Sequence, residues 1–221
     1  WVGIPHIIDN QPIPVGIGYY VDNIKKELKS KGVTCDKFFF GGHSLGGASI
    51  TAWVHENTKE AEGAFAWGAY VSKSIEDPAK NYGVPFLTVG AQFDGWMARI
   101  TRMAFAFDQM KSSSIGYENS KYSYPVMIIP GANHASFLTG EPPQKVKDTD
   151  LRALSPFDQI KDQMSDVTAA FIMVTRLGKE SEAAETIDYY IDEVSTYLFE
   201  PILKVFAMEG APFLSTFDNS T

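Results

Sequence analysis

Cysteine is nearly absent from this sequence: Cys35 stands alone, which excludes an intrachain disulfide and a cysteine-based metal cluster. No stretch approaches the roughly 18 consecutive apolar residues of a membrane span, so no integral membrane segment is expected. Basic residues are outnumbered, and the net charge of −8 argues against binding to nucleic acid or to an anionic membrane. Histidines are few and form no H-x-x-x-H pair, which disfavours a metal hydrolase; they are His6, His43, His55 and His134.

Internal repeats and low-complexity segments are also missing, and the 221 residues fit one domain. The chain begins with Trp-Val-Gly-Ile rather than Met, so we expect its start to belong to a longer protein. Asn219-Ser220-Thr221 is a glycosylation sequon, but such triplets occur too often by chance to assign a compartment. The compartment and the oligomeric state stay open.

Short apolar runs alternate with helical patterns along the chain. The runs lack polar alternation, as is typical of strands buried on both faces of a parallel sheet. Candidate strands are Trp1–Ile8, Lys37–Gly42, Gly63–Val71, Val84–Gly90 and Tyr124–Pro130. Candidate helices cover 15–31, 45–57, 95–113, 156–178 and 182–209, with Pro201 expected to break or kink the last. This alternation predicts an α/β fold with helices on both faces of the sheet and ligands at the carboxyl ends of its strands.

The stretch Gly42-His43-Ser44-Leu45-Gly46 matches G-x-S-x-G between a predicted strand and a predicted helix, the context of a nucleophile elbow. In such an elbow the serine occupies a sharp, strained turn, so we expect Gly42 and Gly46 to avoid clashes and Gly47 to let the helix start close to the strand. The backbone N–H of Leu45 is then a candidate oxyanion donor. A glycine-rich turn with an incidental serine is the alternative.

A serine nucleophile requires a base, and the base requires an acid to orient it. His134 is the best candidate base because it follows the carboxyl end of the last predicted strand. Asp94, in a Gly-flanked turn after another strand, is the candidate acid. Its alternative role is N-cap of the helix at 95–113, and Asp108 is the weaker substitute acid.

The order Ser44, Asp94, His134 and the GHSLGG elbow resemble the α/β-hydrolase superfamily, in particular its lipase- and esterase-like members. The GHSLGG form is also similar to chlorophyllases and dienelactone-hydrolase-like enzymes. The resemblance covers about residues 1–178 and implies one α/β-hydrolase domain over 1–221, with 179–221 as a C-terminal helical extension. It implies a Ser44–His134–Asp94 triad and no cofactor.

One departure from the family pattern concerns the N-terminus, because only 43 residues precede Ser44. We therefore expect the first strands of the sheet, and the loop that supplies the second oxyanion donor, to be absent from this sequence. His6, near the end of the first predicted strand, could line the site or be structural.

Two further residues are candidates for binding substrate: His43, inside the elbow, and Trp96, which could border an acyl pocket or pack in the core. The polar stretch 137–157 could gate the site or simply link to the next helix. The helices over 156–209 could pack on the core or form a cap.

The candidate triad predicts a serine hydrolase that works through an acyl-enzyme, and the resemblance implies carboxylic esters of a small molecule or lipid as its substrates. A chlorophyllase-like activity, or thioester or amide hydrolysis with the same triad, is one alternative. A non-catalytic homologue that binds a partner is another.

Overall fold

The computed structural model describes residues 13–70 and 77–208. The predicted first strand Trp1–Ile8, with His6, and the sequon at 219–221 lie outside the described residues.

Within the described residues the sheet has four strands, all parallel, and they neighbour one another in chain order. All four were predicted, although β2 begins two residues before the expected start and ends at Trp67. The strands are β1 (Phe38–His43), β2 (Ala61–Trp67), β3 (Phe86–Ala91) and β4 (Val126–Ile129).

Helices cover both faces of this sheet. Along β1, β2 and β3 the side chains alternate between two hydrophobic clusters, whereas all four residues of β4 belong to the second. Phe40, Ala64 and Phe86 belong to the cluster that includes Ile17 of α1 (Ile13–Ser30) and Val54 of α2 (Leu45–Glu56). Phe65, Leu87 and Val89 join the other cluster, which includes the buried residues of α4 (Ile100–Lys111) and α7 (Phe157–Leu177). The predicted α/β class is therefore confirmed.

The C-terminal helices pack on the second cluster and cover the edge of β4. The chain passes through α8 (Ala183–Asp188), a π-helical segment (Tyr189–Ser195) and α9 (Thr196–Met208). Ile187 and Ile191 are fully buried, and the Ser195 hydroxyl accepts the backbone N–H of Ile128 at 3.1 Å. An edge-strand donor is thereby satisfied from a helix. Of the two outcomes predicted at Pro201, a break is wrong, because α9 runs through it, and a kink stays a prediction.

Three shorter helices were not predicted: α3 (Pro78–Asn81), α5 (Tyr117–Ser123) and α6 (Gln144–Thr149). The last of these lies inside the predicted polar loop 137–157. The predicted helix at 95–113 begins only at Ile100, because the backbone N–H groups of Gly95 and Trp96 bond to aspartate side chains instead of starting a helical ladder. Among the described helices, none is long and apolar enough to cross a membrane.

Candidate active site

Ser44 forms a one-residue turn between β1, which ends at His43, and α2, which begins at Leu45. Its φ of 55° makes it the only non-glycine residue with positive φ in the described part of the chain. Such a conformation is strained for a residue with a side chain. The turn is held because the Ser44 N–H donates to the Trp67 carbonyl at 2.9 Å.

Of the three glycines around Ser44, two have the expected role and Gly46 does not. A Cβ on Gly42 would lie 2.6 Å from the carbonyl of Gly46, and one on Gly47 would lie 2.9 Å from the Gly42 oxygen. Both positions therefore require glycine, as the sequence indicated. Gly46 differs, because a Cβ there would meet nothing within 4 Å. Its backbone, rather than its missing side chain, closes the turn against Gly42.

His134 begins a single 3₁₀ turn (His134–Phe137) shortly after β4. Asn133 caps this turn: its side chain accepts the Ser136 N–H at 3.0 Å, while the Ser136 hydroxyl accepts the Asn133 N–H at 3.1 Å. His134 is only 1% exposed, so its ring is held in place by packing as well as by the cap.

The structure brings Ser44, His134 and Asp94 into one hydrogen-bonded chain. His134 Nδ1 lies 2.7 Å from Asp94 Oδ2, and His134 Nε2 lies 2.8 Å from Ser44 Oγ. A carboxylate oxygen accepts, so Nδ1 carries the proton and Nε2 of the neutral ring is left to accept the Ser44 hydroxyl proton. This tautomer is the one that a general base requires.

Asp94 is 3% exposed and lies in the turn after β3. Its second oxygen, Oδ1, accepts the Trp96 N–H at 2.7 Å, which sets the carboxylate's orientation. The alternative as N-cap of the next helix is not observed, since α4 begins at Ile100 with Arg99 as its cap. Asp108, the substitute acid, is exposed on α4.

His43 packs against His134 rather than extending away from the elbow. The two ring centroids are 4.7 Å apart, and His43 Nε2–H donates to the His134 carbonyl at 3.2 Å. Burial lowers the pKa of His43 to about 4, and the neighbouring His134 acts in the same direction. His43 therefore stays neutral beside His134 across the physiological range. Its predicted role in binding substrate stays a prediction.

Leu45 and Trp96 also lie next to this chain of hydrogen bonds. As the first residue of α2, Leu45 has a backbone N–H without an acceptor inside the helix, and its side chain is 54% exposed. The Trp96 ring is half-buried, with the ammonium of Lys145 4.8 Å from its centroid. The oxyanion role of Leu45 and the binding role of Trp96 stay predictions.

Two residues at this edge of the sheet were not predicted. Gly68, with φ of 59°, follows β2, and a Cβ on it would lie 3.1 Å from His134 Nδ1 and 3.3 Å from His43 Cδ2. A glycine immediately after a strand in "AWGAY" is the signal that could have identified it. The other is Asp150, whose carboxylate bonds to the loops that carry Asp94 and His134; nothing in its local sequence indicates this.

Among the described residues, no group of three or more His, Cys, Asp or Glu side chains is arranged to hold a metal ion.

Comparison with known proteins agrees with this geometry at the level of the family. The sequence model of the alpha/beta hydrolase family matches residues 8–149, a stretch that includes Ser44, Asp94 and His134. No significant match is found among the curated proteins or among the solved structures. A match over more than half of the chain, together with a parallel sheet flanked by helices, shows that the chain belongs to the alpha/beta hydrolase family.

Proposed function

We propose that this protein is a serine hydrolase that cleaves carboxylic esters, with Ser44 as nucleophile, His134 as general base and Asp94 as the acid that orients the base. The observation that carries the proposal is the hydrogen-bonded chain itself, 2.8 Å from Ser44 Oγ to His134 Nε2 and 2.7 Å from His134 Nδ1 to Asp94. The positive φ of Ser44 supports it further, since backbone strain concentrates at functional residues.

Acylation begins when Ser44 Oγ attacks the ester carbonyl carbon while His134 Nε2 takes the hydroxyl proton. The carbonyl oxygen becomes an oxyanion in the tetrahedral intermediate. The Leu45 N–H, at the positive end of α2, donates to it. When the intermediate collapses, His134 gives its proton to the departing alcohol oxygen, and the acyl group stays on Ser44.

Deacylation repeats these steps with water as the nucleophile. His134 takes a proton from water, the second tetrahedral intermediate forms, and its collapse returns that proton to Ser44 Oγ. Asp94 keeps Nδ1 protonated throughout and stabilises the imidazolium that forms twice in each cycle. Side chains of this chain alone supply the proton transfers.

The exposed side chain of Leu45, next to the nucleophile, favours an apolar group on the substrate. A small-molecule or lipid ester therefore fits the site. Thioesters and amides would react through the same residues, so the ester class is tested against them directly.

Labelling with a fluorescent fluorophosphonate tests the nucleophile. Ser44 should be labelled in the wild-type protein and Ser44→Ala should not be labelled, with the modified peptide identified by mass spectrometry. Ser112→Ala is the matched control because Ser112 is exposed at the end of α4 and bonds only locally, to the Asp108 carbonyl. Equal labelling of Ser44→Ala and wild type would contradict the proposal.

Substrate class is tested with a p-nitrophenyl ester, a thioester and a p-nitroanilide of one acyl chain, over several chain lengths. We expect the ester series to give the highest kcat/KM. A thioester or anilide preferred at every chain length would reject ester specificity while leaving the serine mechanism intact. A folded protein that neither labels nor turns over any substrate would indicate a binding role instead.

A further inference from the structure

Asp150 places a carboxylate between the two loops that carry Asp94 and His134. Its Oδ1 accepts the N–H of Gly95 at 3.0 Å and the N–H groups of His134 and Leu151, each at 3.2 Å. Its Oδ2 accepts the N–H of Ala135 at 2.9 Å. One side chain therefore bonds to the residue after the acid, to the base itself and to the residue after the base.

The segment around Asp150 is held closely against both loops. A Cβ on Gly95 would lie 2.1 Å from the Thr149 carbonyl oxygen. The loop that carries Asp94 can therefore come this close to the Thr149 backbone only because residue 95 is glycine. On the other side, Asn133 Nδ2 donates to the Leu151 carbonyl at 2.6 Å. Asp150 itself is fixed at the end of α6, where its N–H donates to Val146 at 2.8 Å.

The chemistry of these contacts requires a carboxylate. All four partners are backbone N–H donors, and an ionised carboxyl group is the side chain that offers two accepting oxygens and no donor. Hydrogen bonds to a charged acceptor are also about twice as strong as neutral ones. An amide of the same shape would turn one N–H pair towards a backbone N–H and lose at least one of the bonds.

From these contacts we propose that Asp150 is a positioning residue: it fixes the loop of Asp94 and the loop of His134 relative to each other, so that Nδ1 of His134 meets the Asp94 carboxylate. The proposal rests on the proposed function, since it concerns the geometry of the same group. Every hydrogen bond of the Asp150 carboxylate goes to a backbone N–H group, and none goes to Ser44. Asp150 therefore acts through the backbone of the Asp94 loop and the backbone of the His134 loop.

The position of His134 relative to Asp94 should affect the rate strongly, because a displacement of about 1 Å among catalytic groups can lower the rate by about 10²-fold. Asp150→Asn should therefore slow fluorophosphonate labelling of Ser44 by roughly 10- to 100-fold. Asp150→Glu keeps the charge and both oxygens on a longer arm, and should label faster than Asp150→Asn. If Asp150 only filled space, Asp150→Asn would label faster than Asp150→Glu, since asparagine is closer to aspartate in size.

A second measurement reports the geometry without any reaction. The proton between His134 Nδ1 and Asp94 gives a far-downfield resonance in the NMR spectrum in water, and its loss in Asp94→Asn assigns it. The resonance should disappear or broaden in Asp150→Asn. Asp148→Asn is the matched control because Asp148 is an exposed carboxylate of the same helix, bonded only to Gln144. It should keep the resonance and label within twofold of wild type.

Folding of each variant is checked by far-UV circular dichroism and urea unfolding. An Asp150→Asn protein that keeps either the resonance or the labelling rate of Asp148→Asn overturns the proposal. If Asp150→Asn does not fold, Asp150→Ser, which also removes the carboxylate, is compared with Asp148→Ser in the same two measurements and under the same criterion. Absence of labelling in wild type would reject the proposed function, and the resonance alone would then decide the role of Asp150.

Discussion

Two polar groups in this protein show how differently a fold can use buried ionisable side chains. The serine site (Ser44, His134 and Asp94) lies on loops at the carboxyl ends of the strands. The lysine cluster joins α5 to α8 and the π-helical segment. In it the Lys121 ammonium lies 2.9 Å from Asp188, 3.3 Å from Glu118 and 3.5 Å from Asp192.

The two groups differ in the protonation of their central side chain, and we expect them to differ in function as well. Burial alone would lower the pKa of Lys121, but Asp188, Asp192 and Glu118 raise it above its usual value, so the ammonium stays charged. Burial and Asp188 likewise raise the pKa of Tyr122, which donates to Asp188, to about 12. In the lysine cluster Lys121 and Tyr122 thus both stay protonated, as expected of groups that only stabilise the fold. In the serine site the neutral tautomer of His134 leaves a proton acceptor facing Ser44. The comparison teaches that the first group should control activity and the second should control stability.

The largest effect is expected from Asp94→Asn. The Trp96 N–H will hold the amide oxygen, so the amide N–H₂ will face His134 Nδ1 and select the tautomer that cannot accept from Ser44. The labelling rate should fall by about 10⁴-fold, with little change in the free energy of unfolding. Asp108→Asn, at an exposed position of α4, should leave the rate unchanged. A rate loss below tenfold for Asp94→Asn would remove the acid role from Asp94.

Next in size is Lys121→Met, which keeps the apolar stem and removes the charge. The Lys121 side chain is 8% exposed, so its loss leaves three carboxylates facing one another. The free energy of unfolding in urea should fall by roughly 2 to 3 kcal/mol, less than for a fully buried pair because the three carboxylates are 39 to 73% exposed, while the folded variant labels within twofold of wild type. Lys111→Met is the control, because Lys111 is 38% exposed and 4.0 Å from Glu200; it should cost under about 1 kcal/mol. An equal loss of unfolding free energy in the two variants would show that the lysine cluster stabilises the fold no more than an exposed ion pair does.

A smaller effect links the serine site to stability through pH. His43 has a folded-state pKa of about 4 and an unfolded value of about 6.5, so it is neutral in both states above pH 6.5. As the pH falls from 6.5 to 4, the unfolded chain binds a proton that the folded protein does not, and stability decreases; below about 4 this loss is complete.

His43→Gln removes that proton uptake. Between pH 7.5 and pH 5, wild type should lose about 2 kcal/mol more unfolding free energy than His43→Gln. The two proteins share every other titrating group. His55→Gln, at an exposed site on α2, should follow the wild-type curve. Parallel curves for wild type and His43→Gln would show that His43 charges normally in the folded protein.

The smallest effect is a gain in stability from Ser44→Gly. Ser44 has φ of 55°, which glycine adopts without strain. The free energy of unfolding should rise by about 1 kcal/mol over Ser44→Ala, which keeps the strain, while both variants lose labelling. A glycine variant no more stable than the alanine variant would show that the elbow stores no strain.

Much of the serine site could be predicted because its signals are local. Gly42 and Gly47 belong to the six-residue pattern GHSLGG, and Asp94 and His134 each follow an apolar run that forms a strand. In a parallel sheet the carboxyl ends of the strands meet at one edge, so the positions of these residues along the chain imply that they are neighbours.

Short elements were harder to predict, because α5 and α6 have seven and six residues and show little hydrophobic periodicity. The start of α4 at Ile100 was missed for a different reason. There the side chains of Asp94 and Asp150 compete with the helix for backbone N–H groups, and Asp150 is 55 residues away from Gly95.

The sequence by itself determined the identity of Ser44, Asp94 and His134, the parallel sheet and the α/β class, since turn chemistry and hydrophobic periodicity act over a few residues. Tertiary structure alone decided the contacts of Asp150, Gly68 and Lys121 and the packing of His43 on His134. These contacts join segments far apart in the chain, and a close approach such as Gly68 to the His134 ring exists only after the strands have packed.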